Sequence, residues 1–437
     1  MTLRVYGAVF AVLCCSAAGQ PADSLDALLQ PEQQSLDALY KHLHANPELS
    51  YHERETAALL AGELTKAGFT VTTGIGGHGI VGVMKNGAGK TVLVRTDLDA
   101  LPVTEKTNLP YASKIRTKDE QGNDVGVMHA CGHDVHMTAF VGTARLLAKL
   151  KNQWTGTVVM IGQPAEERVG GAEAMLKDGL FTRFPRPDYC LALHTDAALQ
   201  TGRIGYREGP VLASVDSVDV TIRGVGGHGA YPHLTKDPVM IAAQFVTTLQ
   251  TIVSREVRPL DSAVVTVGSI HGGTKRNIIP DQVDLQLTVR TYNEQARELI
   301  LTSIRRIAAG VARTAGVPAD REPIVTNNTT EHTPATSNDP TLVQRLLPVW
   351  RKLLGEQNVV LRDPEMGGED FSRYGLIDPK IPIFMFRVGT IDPERMNAAH
   401  ATPLPSLHSP LYWPRPHPTI ETGVKAMTVA VMELLGK

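Results

Sequence analysis

Short apolar runs that end in acidic or imidazole side chains constrain this chain most. GIVGVM (79–84), TVLVRT (91–96), GTVVMIG (156–162) and YCLALH (189–194) each fit a fully buried strand, and helical spacing lies between the last three, at 136–150 and 171–180. Helical patterns also cover 33–46 and 54–68. Strand–helix alternation with near-continuous apolar strands predicts an α/β fold, a mostly parallel sheet covered by helices. At 437 residues the chain exceeds one ordinary domain, and 42% apolar against 20% charged residues excludes a disordered polymer.

Residues 213–326 change pattern. VDSVDVTIR (215–223) alternates as a half-exposed strand, a helix pattern covers about 238–255, and strands follow in SAVVTVGSI (262–270) and QVDLQLTVR (282–290). A second helix pattern runs about 294–315, and REPIVT (321–326) closes the unit. That βαββαβ order predicts an inserted ferredoxin-like domain, with the main domain over 20–212 and 327–437. Residues 1–19 hold a short apolar stretch, VYGAVFAVLCCSAAG, with no charge between Arg4 and Asp23. This predicts a secretory signal peptide, hence a secreted or periplasmic protein with no membrane attachment after cleavage; a retained helical anchor is the alternative. Lys+Arg 43 against Asp+Glu 45 removes the electrostatic case for a nucleic-acid partner.

Two G-x-G-x-x-G matches, at Gly74-Gly76-Gly79 and Gly224-Gly226-Gly229, open no helix of a βαβ unit and are predicted to be turns. Four clusters carry more chemistry. Asp97 and Asp99 follow TVLVRT, Cys131 and His133 lie in MHACGHDVH, Glu166 and Glu167 follow GTVVMIG, and His194 ends YCLALH. Three of the four fall at the C-terminal ends of predicted strands, where open α/β sheets place ligands. Thiolate, imidazole and carboxylate are the donor set of zinc, manganese and similar ions. Neighbouring Glu166 and Glu167 point in different directions, so one can bind metal while the other acts as a base. Singly, a buried Cys is usually a small hydrophobe and a Glu-Glu pair a solvated face; joint placement at one sheet edge favours a metal centre. A thiol hydrolase with Cys131 as nucleophile and His133 as base is disfavoured, because such pairs are usually distant in sequence.

RTDLDALPV (95–103), MHACGHDVHM (128–137), QPAEE (163–167), GGHGAYPH (226–233), NIIPD (277–281), GGEDFS (367–372) and LHSP (407–410) occur in this order. Together they resemble the M20 metallopeptidase and amidohydrolase family, subfamily D. That family includes hippurate hydrolases, N-acyl-amino-acid amidohydrolases, plant auxin-conjugate hydrolases and some carboxypeptidases. The resemblance implies a catalytic α/β domain interrupted by a ferredoxin-like lid and dimerisation domain. It implies two divalent metal ions per chain (Mn, Zn or Co), with Cys131 as bridging thiolate and His133, Glu167, His194 and His408 as the other ligands. Glu166 would be the general base that deprotonates the attacking water, and Asp99 would orient a ligand imidazole. His228 would donate to the substrate carbonyl across a homodimer. Asn277 and Arg290 would bind the substrate, Arg290 through its planar fork.

The implied reaction is hydrolysis of the amide of N-acyl or N-aroyl amino acids. The alternatives are a carboxypeptidase or dipeptidase on short peptides and, outside enzymes, a ligand-binding protein of the same fold. QPAEE runs directly into RVGGAEAM, and LYWPRPHPTIETG after His408 lacks the usual acidic stretch. Both departures bear on substrate preference more than on chemistry.

Overall fold

The computed structural model describes residues 25–119, 121–398 and 403–436, so the expected signal segment lies outside the described residues. Helices α1 (Gln33–Ala45) and α2 (Arg54–Lys66) precede strands β1 (Thr70–Ile75), β2 (Gly79–Asn86) and β3 (Thr91–Asp97). Next come α3 (His133–Lys149), β4 (Gly156–Gln163), α4 (Gly171–Lys177), β5 (Tyr189–Gln200) and β6 (Ile204–Tyr206). The inserted segment contributes β7 (Ser214–Arg223), α5 (Pro238–Leu249), β8 (Ala263–His271), β9 (Gln282–Thr291), α6 (Glu294–Thr314) and β10 (Ile324–Thr333). The chain returns through α7 (Pro340–Leu354), β11 (Val359–Leu361), β12 (Ile383–Ile391) and α8 (Pro416–Leu435).

The large sheet has the order β1-β2-β4-β3-β5-β12-β6-β11. Its central four strands, β4, β3, β5 and β12, run parallel, while β1 and β2 form an antiparallel hairpin at one edge. The first glycine motif is the turn of that hairpin, as its sequence predicts.

Side chains alternate between the two faces of these strands. Val92 and Val94 of β3, Leu191 and Leu193 of β5, and Phe384 and Phe386 of β12 pack under α1, α2, α3, α7 and α8. Leu93, Cys190, Ala192, Ile383 and Met385 pack on the opposite face, against Ala172 and Met175 of α4. Continuing that alternation puts Arg95, Asp97, Gln163, His194 and Arg387 on the α4 face; Asp97 and Gln163 end their strands, whereas β5 runs on to Gln200, six residues past the end expected at His194, and β12 runs on to Ile391. One face of one sheet edge therefore collects the charged side chains.

The inserted segment forms its own antiparallel sheet, β8-β9-β7-β10. Val218, Val220 and Ile222 of β7 and Val283, Leu285, Leu287 and Val289 of β9 bury against Ile241, Phe245, Ile300 and Ile304 of its two helices. The other face of the sheet carries Val215, Ser217 and Arg290, with Val215 and Arg290 paired in register. β10 continues to Thr333, past the end expected at 326. Its polar run NNTTEH reads as a loop, but an edge strand pairs through its backbone and tolerates polar side chains. Among the described residues, no helix is long and apolar enough to cross a membrane.

Candidate metal centre

Two overlapping triads meet at Cys131. The donor atoms of Cys131, His133 and His194 all lie within 4.8 Å of one another, and so do those of Cys131, Glu167 and His408. Glu166 joins through His133, whose Nε2 is 3.8 Å from Glu166 and 3.9 Å from Glu167. His408 Nε2 lies 3.5 Å from Glu167, and Cys131 Sγ lies 3.6 Å from His194 Nε2. Cys131, His133, Glu166 and His194 are buried, while His408 approaches from an exposed loop.

Local structure explains the convergence. Gly132 has φ +81° and starts α3, which lets the flanking Cys131 and His133 turn toward one point. Three residues besides glycine hold positive φ around the centre: Ala165 (+49°), Val169 (+48°) and His408 (+67°). Strain of that kind persists only where the surroundings enforce it. Glu53 accepts the Ala165 N–H at 2.7 Å, while Val169 donates to the Glu166 carbonyl at 2.7 Å and His408 to the Ala130 carbonyl at 2.8 Å; Asp99 and Asp370 hold the same loop through the Glu167 and Ala172 N–H groups at 3.0 and 2.9 Å. A Cβ on Gly171 would sit 1.6 Å from the Pro164 carbonyl oxygen, so only glycine closes this loop onto α4.

The imidazoles are oriented for ligation. His133 Nδ1 donates to the Asp99 backbone carbonyl at 2.8 Å, and His194 Nδ1 to that of Thr195 at 2.8 Å. A carbonyl only accepts, so each Nε2 is left facing the centre. Asp99 thus orients His133 mainly through its backbone; its carboxylate accepts from Ser50 at 2.6 Å as well as from Glu167. His133 Nε2 and Glu167 Oε1 are buried and have no hydrogen-bond partner among the described residues. Orphaned buried donors and acceptors are costly, and a divalent cation satisfies this set. The residues present therefore fit the metals implied by the sequence.

Electrostatics agree. Burial, reinforced by Glu369 and Glu167, raises the Glu166 pKa well above the carboxylate range, and burial pushes Glu167 up to about 7. Burial opposes charge on His133, but Asp97 and Asp99 outweigh it and raise its pKa. Burial and the neighbouring Glu167 push the Cys131 thiol well up. A nucleophilic cysteine is favoured by an electropositive setting, whereas Cys131 faces the carboxylates of Glu167 and Glu166.

Beneath the centre lies a charge network in which the sequence reading gave no roles. Arg95 is fully buried and donates to Asp97 at 2.7 Å, to Glu369 at 2.8 Å and to Gln163 at 3.0 Å, with Asp370 at 3.4 Å. His136 Nδ1 meets Asp97 at 2.8 Å, and its Nε2 accepts the Thr195 N–H at 2.9 Å, so both ring nitrogens are occupied. His136 is therefore a support and not a ligand. An arginine within the apolar run TVLVRT was the available signal, because buried arginines are nearly always paired.

The centre forms the floor of a cavity of about 590 Å³ that Arg290 also lines. His228 and Asn277 are not among its lining residues. They lie together on an exposed two-stranded ribbon, where His228 pairs with Ile278 and Gly229 donates to the Asn277 carbonyl at 2.9 Å.

The model of peptidase family M20/M25/M40 matches residues 93–427. The chain belongs to that family. Hippurate hydrolase of Campylobacter jejuni is 38% identical over 78% of this chain and 84% of its own length. N-acetylcysteine deacetylase of Bacillus subtilis is 35% identical, over 80% and 87%. The crystal structure of the Bacillus subtilis YXEP protein, described as a dinuclear metal-binding peptidase from the M20 family, superposes with a TM-score of 0.74 at 29% identity, covering 93% of this chain and 99% of that one.

Proposed function

We propose that this M20 hydrolase cleaves the amide bond of N-acyl or N-aroyl amino acids, using two divalent cations. The observation that carries the reading is the pair of donor triads sharing Cys131 on the floor of a cavity that also contains Arg290. Similarity to a hippurate hydrolase and an N-acetylcysteine deacetylase supports the substrate class.

Cys131, His133, Glu167, His194 and His408 would hold the cations, with Cys131 common to both. Bound there, the cations polarise the amide carbonyl and acidify water. Glu166, beside the ligands, takes the proton of the attacking water and returns it to the leaving amine. Arg290 Nε donates to Thr288 Oγ1 at 3.0 Å, and among the described residues no carboxylate pairs with its guanidinium. Its remaining donors are open to a substrate carboxylate. His228 and Asn277 reach the substrate from a second copy of the chain, which accounts for their place outside this chain's own cavity. The N-terminal apolar stretch supports a secreted or periplasmic location.

Chelated enzyme reloaded separately with Mn, Zn or Co and assayed on hippurate, N-acetyl amino acids and dipeptides tests the reading. Turnover of N-acyl amino acids should vanish on chelation and return with at least one ion. Equal rates with and without metal, or cleavage of dipeptides alone, would refute it.

A further inference from the structure

Two buried arginines on the same sheet face are treated very differently. Arg95 fills its guanidinium fork with Asp97, Glu369, Asp370 and Gln163. Arg387 of β12 is almost as buried, with 7% of its side chain exposed, yet its side chain makes one hydrogen bond among the described residues. That bond joins Nη2 to Glu365 at 3.0 Å, and the Glu365 side chain is 52% exposed. A guanidinium carries five N–H donors, and those of Arg387 that no side chain meets open onto the cavity, where an anion can reach them.

Arg387 lies where a substrate would meet it. It is in register with His194 on the adjacent parallel strand, and both line the cavity with Glu365 and Arg290. Arg290 comes from the inserted sheet and Arg387 from the main sheet, so two cationic forks reach one cavity from different elements. Glu365 is anchored by its backbone, whose N–H donates to the Val211 carbonyl at 2.9 Å. Its half-exposed carboxylate satisfies one donor of Arg387 and can yield the rest to an incoming anion.

We infer that Arg387, gated by Glu365, is a specificity-determining subsite for a second carboxylate on the substrate, in addition to the one bound by Arg290. The inference rests on the amidohydrolase reading. The favoured substrates are N-acyl amino acids with two carboxylates, the second one placed either on the amino-acid side chain or on the acyl group.

The test compares kcat/KM of metal-loaded enzyme on N-acetylglutamate, on N-succinyl-leucine, and on the neutral counterparts N-acetylglutamine and N-acetyl-leucine. The first two substrates distinguish a side-chain carboxylate from an acyl one. Wild type should favour at least one dicarboxylate over its neutral counterpart by roughly tenfold or more, the range of a charge-assisted pair. Arg387→Met should cut that ratio by a similar factor, mainly through KM, and Glu365→Gln should raise it. Each ratio is taken on one loaded sample, so partial unfolding or altered metal affinity through His194 cancels. A wild-type ratio near one, or a ratio that Arg387→Met leaves in place, overturns the subsite. No turnover of any of the four substrates overturns the subsite, and failure on hippurate as well overturns the amidohydrolase reading itself.

Discussion

Arg95→Met removes the guanidinium that Asp97, Glu369 and Asp370 share in a buried cluster while keeping most of the stem's volume. The fork lies 2.7 Å from Asp97, 2.8 Å from Glu369 and 3.4 Å from Asp370, and all three carboxylates are buried. Removing one side of a buried ion pair costs about 3–5 kcal/mol, far more than the pair's net worth, because the remaining charge is uncompensated. At roughly 2–4 °C per kcal/mol for a domain of this size, the main transition should fall by about 6–20 °C. The deficit should also depend on pH. Burial already pushes Asp370 up to about 7 from its ordinary 3.8, even beside Arg95. A carboxyl with a raised folded pKa binds more protons folded than unfolded, so its contribution to stability falls as pH rises between those two values. Without Arg95 that window extends upward, and the gap between variant and wild type should widen from pH 5 to pH 8. Urea and thermal unfolding of metal-free protein at several pH values measure it. A deficit below about 1 kcal/mol at pH 8, or one that does not change with pH, would refute the reasoning.

Three further outcomes are expected. Gly132→Ala puts a Cβ at a φ of +81° and 2.8 Å from Thr195 Oγ1, so stability should fall by about 1–3 kcal/mol, and chelator competition should show weaker metal binding. His44 is buried, and although burial opposes its charge, Asp134 and Glu105 raise its pKa to about 9. Its contribution to stability is fully present below the unfolded value of 6.5 and lost as pH rises through 9, so the urea-unfolding deficit of His44→Gln should be largest near pH 6 and shrink toward pH 9. Mixing inactive His228→Ala with inactive Glu166→Gln should restore part of the activity if His228 acts across a dimer, since one mixed site then holds both native residues; no recovery after subunit exchange would place His228 elsewhere.

Apolar runs revealed β2, β3, β4 and β5 of the large sheet, and alternation revealed β7 and β9 of the inserted one; the three-residue strands β6 and β11 are too short to carry a pattern. The site was legible for the same reason: Asp97, Glu166 and His194 interrupt or follow runs that are otherwise apolar, although β5 itself continues past His194 to Gln200. His408 was not legible from pattern, since it approaches from a Pro-rich loop with no periodicity, and only the LHSP motif marked it. Arg95 and Arg387 carried the same signal as the ligands, a charge inside a buried strand, but pairing partners as distant as Glu369 are set by the tertiary fold. The positive φ at Ala165 and Val169 has no composition signature, because neither residue type favours it.

Metal content and turnover of Glu166→Gln, measured on the same preparation with an N-acyl amino acid, bear most directly on the division of labour between Glu166 and the ligands around Cys131. Two ions per chain should remain bound while kcat falls by roughly 10²–10⁴-fold, the usual worth of a positioned general base. Near wild-type turnover with the ions still bound would contradict it.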